Sequence, residues 1–169
     1  MSLAAASALP PIAAERREDA PCVERLILRV LGPGRLAKSA ERLREGRAPL
    51  LQLSFVAWSG AEAVGCVRQW AVSIGGRAAI LLGPFAVDPA WRGQGVGAAL
   101  IGRACEGARD AGHALILLVG DEPYYGPLGF SAPPAARVLM PGPVDQRRVL
   151  VRALAPGADA DLGGAVTPA

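Results

Sequence analysis

Three glycines at alternate positions are the first residues in the chain whose spacing could do chemistry. Gly93, Gly95 and Gly97 stand in the stretch VDPAWRGQGVGAAL, between a predicted strand and a predicted helix. Glycine at a helix start lowers the stability of the helix by roughly 0.5–1 kcal/mol relative to alanine, so three glycines at this point need a physical reason. Amides at a helix start lack intrahelical partners and attract anions, and glycines let a phosphate approach them closely. The same glycines also suit a tight strand-to-helix turn that needs only their backbone angles.

Three phosphate-binding patterns compete for this loop. A P-loop needs a glycine followed by lysine, a pair that occurs nowhere in the sequence. The dinucleotide pattern G-x-G-x-x-[GA] fits formally at Gly93, Gly95 and Ala98. However, DPAWR separates it from the strand, and a dinucleotide fold needs more strand–helix–strand units than the remaining chain provides. The third pattern, R-x-x-G-x-G, is met by Arg92, Gly95 and Gly97 and is the one we favour.

Hydrophobic periodicity predicts the elements that precede the loop. After a flexible leader over 1–11 come a first strand, a helix ending at Gly32, and a shorter helix. Alternating apolar residues then predict three strands of a meander. A bulge or bend is expected in the third strand at Gly83-Pro84, because proline cannot donate to a strand ladder. The predicted ranges are 12–18, 20–31, 35–45, 51–57, 64–74 and 77–87.

The second half of the chain alternates helix and strand. A helix over 95–111 follows the loop, and the apolar run over 114–119 is typical of a strand buried on both faces. A short helical turn and further strands follow, the last near 147–153, and a tail over 156–169 is expected to be loose. The order predicts one α/β or α+β domain over 12–155 with a mixed sheet.

Composition excludes several classes of function. The 169 residues carry 18 basic and 15 acidic side chains, a net charge of +3, and the arginines are scattered. Scattered arginines argue against a nucleic-acid-binding face. The three cysteines are far apart and include no C-x-x-C pair, so neither a disulfide framework nor a metal site is predicted. Without a signal peptide or an apolar run of about 18 residues, a soluble cytoplasmic protein without membrane contact is expected.

Two strings resemble motifs of the GNAT superfamily of acyl-CoA-dependent N-acyltransferases. GPFAVDPAWRGQGVGAALI is similar to its pyrophosphate-binding motif, and YYGPLGF to its Y-x-x-x-G-F element, with Tyr125, Gly129 and Phe130 at matching spacing. LLVGDEPYYGPLGF is similar to a bacterial branch of small members. The resemblance covers about 12–155. It implies a mixed, mostly antiparallel central sheet with a splayed parallel strand pair and flanking helices.

The resemblance implies acetyl-CoA as the co-substrate and assigns residues to it. The cofactor would lie between splayed strands at 81–88 and 114–119, and its pantetheine arm would pair with the first strand like an added strand. The residues implied in that pairing are Phe85, Ala86 and Val87. The residues implied in pyrophosphate binding are Arg92, Gly93, Gln94, Gly95, Val96, Gly97 and Ala98.

Tyr125 matches the position of the family's usual general acid. A tyrosine phenol stays protonated at neutral pH and can donate its proton to the departing thiolate. Alternatively, either tyrosine could serve only as a packing aromatic with a polar tip. We assign that packing role to Tyr124 and the general-acid role to Tyr125. No general base is evident. By elimination the candidates are Glu62, Asp121 and Glu122, although a solvated carboxylate is expected for each.

The resemblance therefore implies an N-acetyltransferase acting on a small-molecule or protein amine. The alternative is a non-catalytic acyl-CoA-binding or regulatory module on the same fold, which the missing base motivates. A nucleotide-binding oxidoreductase domain is the third hypothesis, because of the formal glycine match. No nucleic-acid partner is expected, and a homodimer is allowed.

Overall fold

An eight-stranded mixed sheet forms the centre of the protein. The computed structural model describes residues 8–169. The strands are β1 (Ile12–Ala14), β2 (Phe55–Ser59), β3 (Glu62–Ile74), β4 (Arg77–Val87), β5 (Leu115–Val119), β6 (Val138–Leu139), β7 (Val149–Ala153) and β8 (Gly164–Pro168). The main path runs β1-β2-β3-β4-β5-β7, and β8 pairs with β3 and β6. Most pairs are antiparallel; β4–β5 and β6–β8 are parallel.

Within residues 8–169, three α-helices accompany the sheet: α1 (Ala20–Leu31), α2 (Val96–Asp110) and α3 (Glu122–Tyr125). Gly32 ends α1 with a φ of 68°, a left-handed conformation that favours glycine. The helix predicted over 35–45 is wrong. Two 3-10 segments, Pro33–Ala37 and Ser39–Leu43, replace it, and Lys38 between them is extended. Side-chain bonds to a distant loop hold the second segment: Ser39 and Arg42 donate to backbone carbonyls of the 141–143 loop.

The parallel pair β4–β5 is short and then opens. The two strands are in register only at Ile80↔Ile116 and Leu81↔Leu117. Just beyond, β4 carries a bulge at Gly83-Pro84, opposite β3, where the register shifts. The indole Nε1 of Trp70 donates to the Gly83 carbonyl at 2.6 Å and holds the bulge in place. Both the predicted bulge and the predicted splay are confirmed.

Both faces of the sheet are covered, so β5 is buried on each side as predicted. On one face α2 packs through Leu100, Ile101 and Ala104 against β2, β3 and the even-numbered side chains of β4 and β5. On the other face α1 covers the β2 end of the sheet. The Leu43 segment and residues 135–138 cover the β5–β7 end. The sheet therefore fixes β4 and β5 firmly up to the point where they separate.

The expectation of a loose tail is wrong for residues 164–168. These residues form β8, which pairs with β3 from Ile74↔Val166 to Val72↔Pro168. Leu162 and Val166 are buried in the core. The domain end predicted at residue 155 therefore leaves out one strand of the sheet. Of the predicted leader, residues 1–7 lie outside the described residues.

Candidate active site

A cavity of about 750 Å³ opens where β4 and β5 separate. Its floor is the bulged part of β4 and the end of β5, Leu118–Gly120. One wall is α3 with its two tyrosines. The opposite wall is the pair of 3-10 segments before β2, and the 143–148 loop closes one side. The cavity thus lies against the edge of β4 that β5 leaves unpaired after Leu81.

The glycine loop presents a helix start to solvent beside this cavity. Asp88 begins the turn, and its carboxylate accepts from Ala90 N at 2.9 Å. That bond holds the pKa of Asp88 below its ordinary value. Gly93 and Gly95 have φ values of 73° and 87°, conformations that side chains rarely adopt. The helix's first hydrogen bond runs from Ala99 N to Gly95 O. The amides of residues 96–98 are therefore without intrahelical partners and are available to an anion.

The residues predicted to bind a cofactor are divided between the cavity and its margin. Phe85 and Arg92 line the cavity. Ala86 and Val87 have buried side chains, and on the β3 side they pair with Cys66 and Gly65. Residues 93–98 do not line the cavity but follow Arg92 directly.

The side chains of Arg92 and Gln94 both turn back onto their own loop. Arg92 Nε donates to the Val87 carbonyl at 3.2 Å, at the end of β4. Gln94 Nε2 donates to the Ala90 carbonyl at 3.0 Å. Both side chains therefore stabilise the turn, and Arg92 keeps its charge exposed at the margin of the cavity.

Four aromatic rings form a continuous wall between the loop and β5. Tyr124 lies 4.9 Å from Tyr125, centroid to centroid, and Phe85 lies 6.2 and 6.3 Å from them. Phe130 closes the row at 6.1 Å from Tyr125. The Tyr125 ring packs on Gly120, where a side chain would overlap it. Glycine at 120 therefore lets the edge of the Tyr125 ring approach the end of β5 closely.

Burial keeps both phenols protonated. It raises the pKa of Tyr125 to about 12, with smaller contributions from Tyr124 and the Asp121 carboxylate. Burial also raises the pKa of Tyr124. Each phenol is therefore a neutral hydrogen-bond donor at physiological pH, on a residue that lines the cavity.

The comparisons with known proteins agree with this geometry. The family model for the acetyltransferase (GNAT) domain matches residues 52–132, a range that includes the glycine loop and both tyrosines. A GNAT family N-acetyltransferase (YhbS) from Escherichia coli, in complex with CoA, is 27% identical with a TM-score of 0.80, over 96% of this chain and 91% of that one. A GNAT family acetyltransferase from Brucella melitensis, in complex with acetyl-CoA, is 27% identical with a TM-score of 0.71, over 94% and 95%.

The chain belongs to the GNAT acetyltransferase superfamily. It is an N-acetyltransferase with the mixed sheet and splayed strand pair of that fold. No curated protein sequence is significantly similar to it.

This GNAT protein carries charged cavity residues that sequence analysis did not single out. Sequence analysis treated the exposed face of residues 20–45 as mixed in charge and uninformative. Folding brings the cationic part of that face to the cavity: Arg35, Lys38 and Arg44 line it, whereas the glutamates of the same face do not. No local signal distinguishes them, since the cavity that they line is formed together with β4, β5 and α3, which are distant in sequence.

Of the candidate bases, one reaches the cavity of this GNAT domain. Asp121 lines it, but its carboxylate is 3.0 Å from Arg148 Nε. Glu122 accepts from the Ala132 amide at 3.2 Å, and Glu62, 3.9 Å from Arg29, does not line the cavity. Glu62 and Glu122 are therefore poorly placed for the chemistry of this cavity.

Two kinds of feature are absent from residues 8–169, the described part of the GNAT chain. Within it, no group of three or more His, Cys, Asp or Glu side chains is placed to hold a metal ion. No helix in the same range has the length and apolar character needed to cross a membrane.

Proposed function

We propose that the protein transfers an acetyl group from acetyl-CoA to an amine by direct attack, with Tyr125 protonating the departing thiolate. The observation that carries the proposal is the meeting of two features in one cavity. The edge of β4 is unpaired by β5 beyond Leu81, and Tyr125 lines the same space. An unpaired strand edge can bind an extended arm, and a neutral phenol can donate a proton.

The cofactor would occupy β4 from the bulge to the glycine loop. The pantetheine arm would pair with the backbone of Phe85, Ala86 and Val87, and the pyrophosphate would bind the free amides of residues 93–98. Exposure of Arg92 and of residues 93–95 supports access for an anion. CoA and acetyl-CoA in the two solved neighbours support the same choice of co-substrate.

The reaction balances with the groups present. The neutral amine attacks the thioester carbon, and a backbone N–H of β4 stabilises the oxyanion that forms. The intermediate collapses, the C–S bond breaks, and the thiolate takes the Tyr125 proton. The ammonium of the intermediate releases its extra proton to solvent, and the phenolate is reprotonated. The high pKa of Tyr125 favours proton recapture, so the acid is restored for the next cycle.

Calorimetric titration with acetyl-CoA, followed by an assay of free thiol with a panel of amines, tests this function. We expect a micromolar-range dissociation constant, equivalent to about −8 kcal/mol, and thiol release that depends on the amine. Failure to bind any acyl-CoA would overturn the proposal. Binding without transfer to any amine would instead favour the non-catalytic module. The cytoplasmic location stays a prediction. A homodimer, which the sequence allows, can be tested by light scattering.

A further inference from the structure

The cavity wall opposite the tyrosines carries an excess of positive charge. Five cationic side chains line the whole cavity and only two carboxylates do. The cations are Arg35, Lys38, Arg44, Arg92 and Arg148, and the carboxylates are Asp121 and Asp145. Asp121 pairs with Arg148, and Asp145 pairs with Arg147 outside the cavity. The two carboxylates are therefore already neutralised, and the remaining cations face the cavity.

Lys38 and Arg92 are exposed to solvent, whereas Arg44 is largely buried. Its side chain is only 12% exposed, and its single ion pair is with Glu41 at 3.2 Å. The same Glu41 oxygen is 3.2 Å from Arg35, so one carboxylate serves two guanidinium groups. Among the described residues, Arg44 Nε has no hydrogen-bond partner. Burial is also the main reason that the pKa of Arg44 is lowered. A buried donor without a partner is costly, and the guanidinium as a whole would gain charge-assisted hydrogen bonds from an anion in the cavity.

Arg44 lies at the reacting end of the proposed cofactor site. Its Nη2 atom is 2.9 Å from the point where a Cβ would stand on Gly83, in the bulge that separates β4 from β5. The glycine loop begins beyond Val87, about 13 Å further along the strand at about 3.3 Å per residue. Arg44 is therefore too far from the loop to bind the pyrophosphate, and Arg92 stands there instead.

We infer that the acceptor is a small amine that also carries a carboxylate or phosphonate, and that Arg44 binds this anionic group. The inference rests on the proposed function and names its substrate class. Because Arg44 adjoins the bulge where the thioester would lie, few bonds should separate the amine from the anion. Lys38, exposed at the same wall, adds positive charge at the entrance.

Matched amines test the charge requirement. Acetyl transfer at saturating acetyl-CoA is measured for glycine, β-alanine and aminomethylphosphonate, each beside its neutral amide or diethyl ester. Rates are expressed per unprotonated amine, because the pairs differ in amine pKa. We expect kcat/KM for at least one anionic amine to exceed that of its neutral partner by about tenfold or more. The preferred pair shows whether the anion is a carboxylate or a phosphonate.

Variants assign the preference to Arg44. Arg44→Gln should reduce kcat/KM for the preferred anionic amine about tenfold or more, with its neutral partner and the acetyl-CoA dissociation constant nearly unchanged. Arg44→Lys should restore part of the preference. Lys38→Gln, at an exposed position, should reduce it less. Arg109→Gln, an exposed arginine at the far end of α2, is the control and should leave every rate unchanged.

Two results overturn the inference while the proposed function stands. One is the result that acetyl-CoA binds but no anionic amine has a higher kcat/KM than its neutral partner, including the case in which none of these paired amines reacts. The other is an anionic preference that Arg44→Gln leaves intact. Loss of acetyl-CoA affinity in Arg44→Gln would also contradict it, because Arg44 would then serve the cofactor. Failure to bind acetyl-CoA in the unmodified protein rejects the proposed function itself.

Discussion

The hydroxyl of Tyr124 lies directly over Gly97, in the first turn of α2. A Cβ at Gly97 would overlap that hydroxyl and would stand 3.1 Å from Phe85 Cζ. Gly97 has no positive φ, so its conformation does not require glycine. The close approach of two aromatic rings requires it instead. The third glycine of the loop thus joins the proposed pyrophosphate site to the tyrosines of α3.

Gly97→Ala should weaken acetyl-CoA binding about tenfold, or 1.4 kcal/mol, because Tyr124 and Phe85 must move into the cofactor's space. Calorimetric titration measures the effect. The matched control is Gly102→Ala, also within α2, where nothing lies within 4 Å of an added Cβ. Alanine should stabilise the helix there by up to about 1 kcal/mol and leave affinity unchanged. Equal affinity of the two variants would contradict the account.

Turnover should not decline below pH 10, because Tyr125 stays protonated over that range. A general acid works while protonated, and the pKa of Tyr125 is raised to about 12. Turnover should therefore rise as the acceptor amine loses its proton and should show no decline before about pH 10. Stopped assays of free thiol, corrected for spontaneous thioester hydrolysis, measure the profile. A decline with an apparent pKa near 9, in protein shown by circular dichroism to be folded, would exclude Tyr125 as the acid.

Trp70→Phe should lower the free energy of unfolding by about 1–3 kcal/mol, because the Gly83 carbonyl loses its buried donor. Turnover should fall as well, since the bulge at Gly83-Pro84 shapes the floor of the cavity. Urea denaturation and the thiol assay report the two effects. Trp58→Phe is the control, because Trp58 is half-buried and its indole donates no hydrogen bond among the described residues. If Trp58→Phe and Trp70→Phe behave alike, the indole bond does not hold the bulge.

Val166→Ala should destabilise the protein by about 1.6 kcal/mol, from two buried methyl groups at about 0.8 kcal/mol each. Val166 is buried and pairs with Ile74 through β8. Its exposed neighbour is the control: Thr167→Ala should change stability by less than about 0.5 kcal/mol. Thermal unfolding compares them. Two variants of equal stability would show that β8 does not contribute to the folded sheet.

Strong periodicity made most of the fold predictable from sequence. The 20–31 and 95–111 helices and the buried strand at 114–119 lie within a residue of their predicted bounds. Prediction failed where distant contacts override local preference. Residues 35–45 read as a helix, but bonds from Ser39 and Arg42 to the 141–143 loop favour 3-10 segments. GGAVTPA reads as a tail, since the strands that pair with it, β3 and β6, are distant in sequence.

The site divides in the same way. The glycine loop and Tyr125 were predictable, because their residue types and spacing lie within short segments. Arg44 was not, because its significance depends on sharing Glu41 with Arg35 and on its contact with Gly83. The role of Tyr124 at Gly97 was missed for the same reason. A contact between α3 and α2 has no local signature in either segment.

The most direct test of the central claim is a side-by-side measurement on the unmodified protein and Tyr125→Phe. Acetyl-CoA affinity is measured by calorimetry, and turnover by release of free thiol with the best amine of the panel. The account predicts an unchanged dissociation constant and a turnover lower by about 10²–10⁴-fold, the usual contribution of a general acid. Tyr124→Phe, the neighbouring phenol, should retain most of the turnover. Equal turnover in Tyr125→Phe and the unmodified protein would contradict the account.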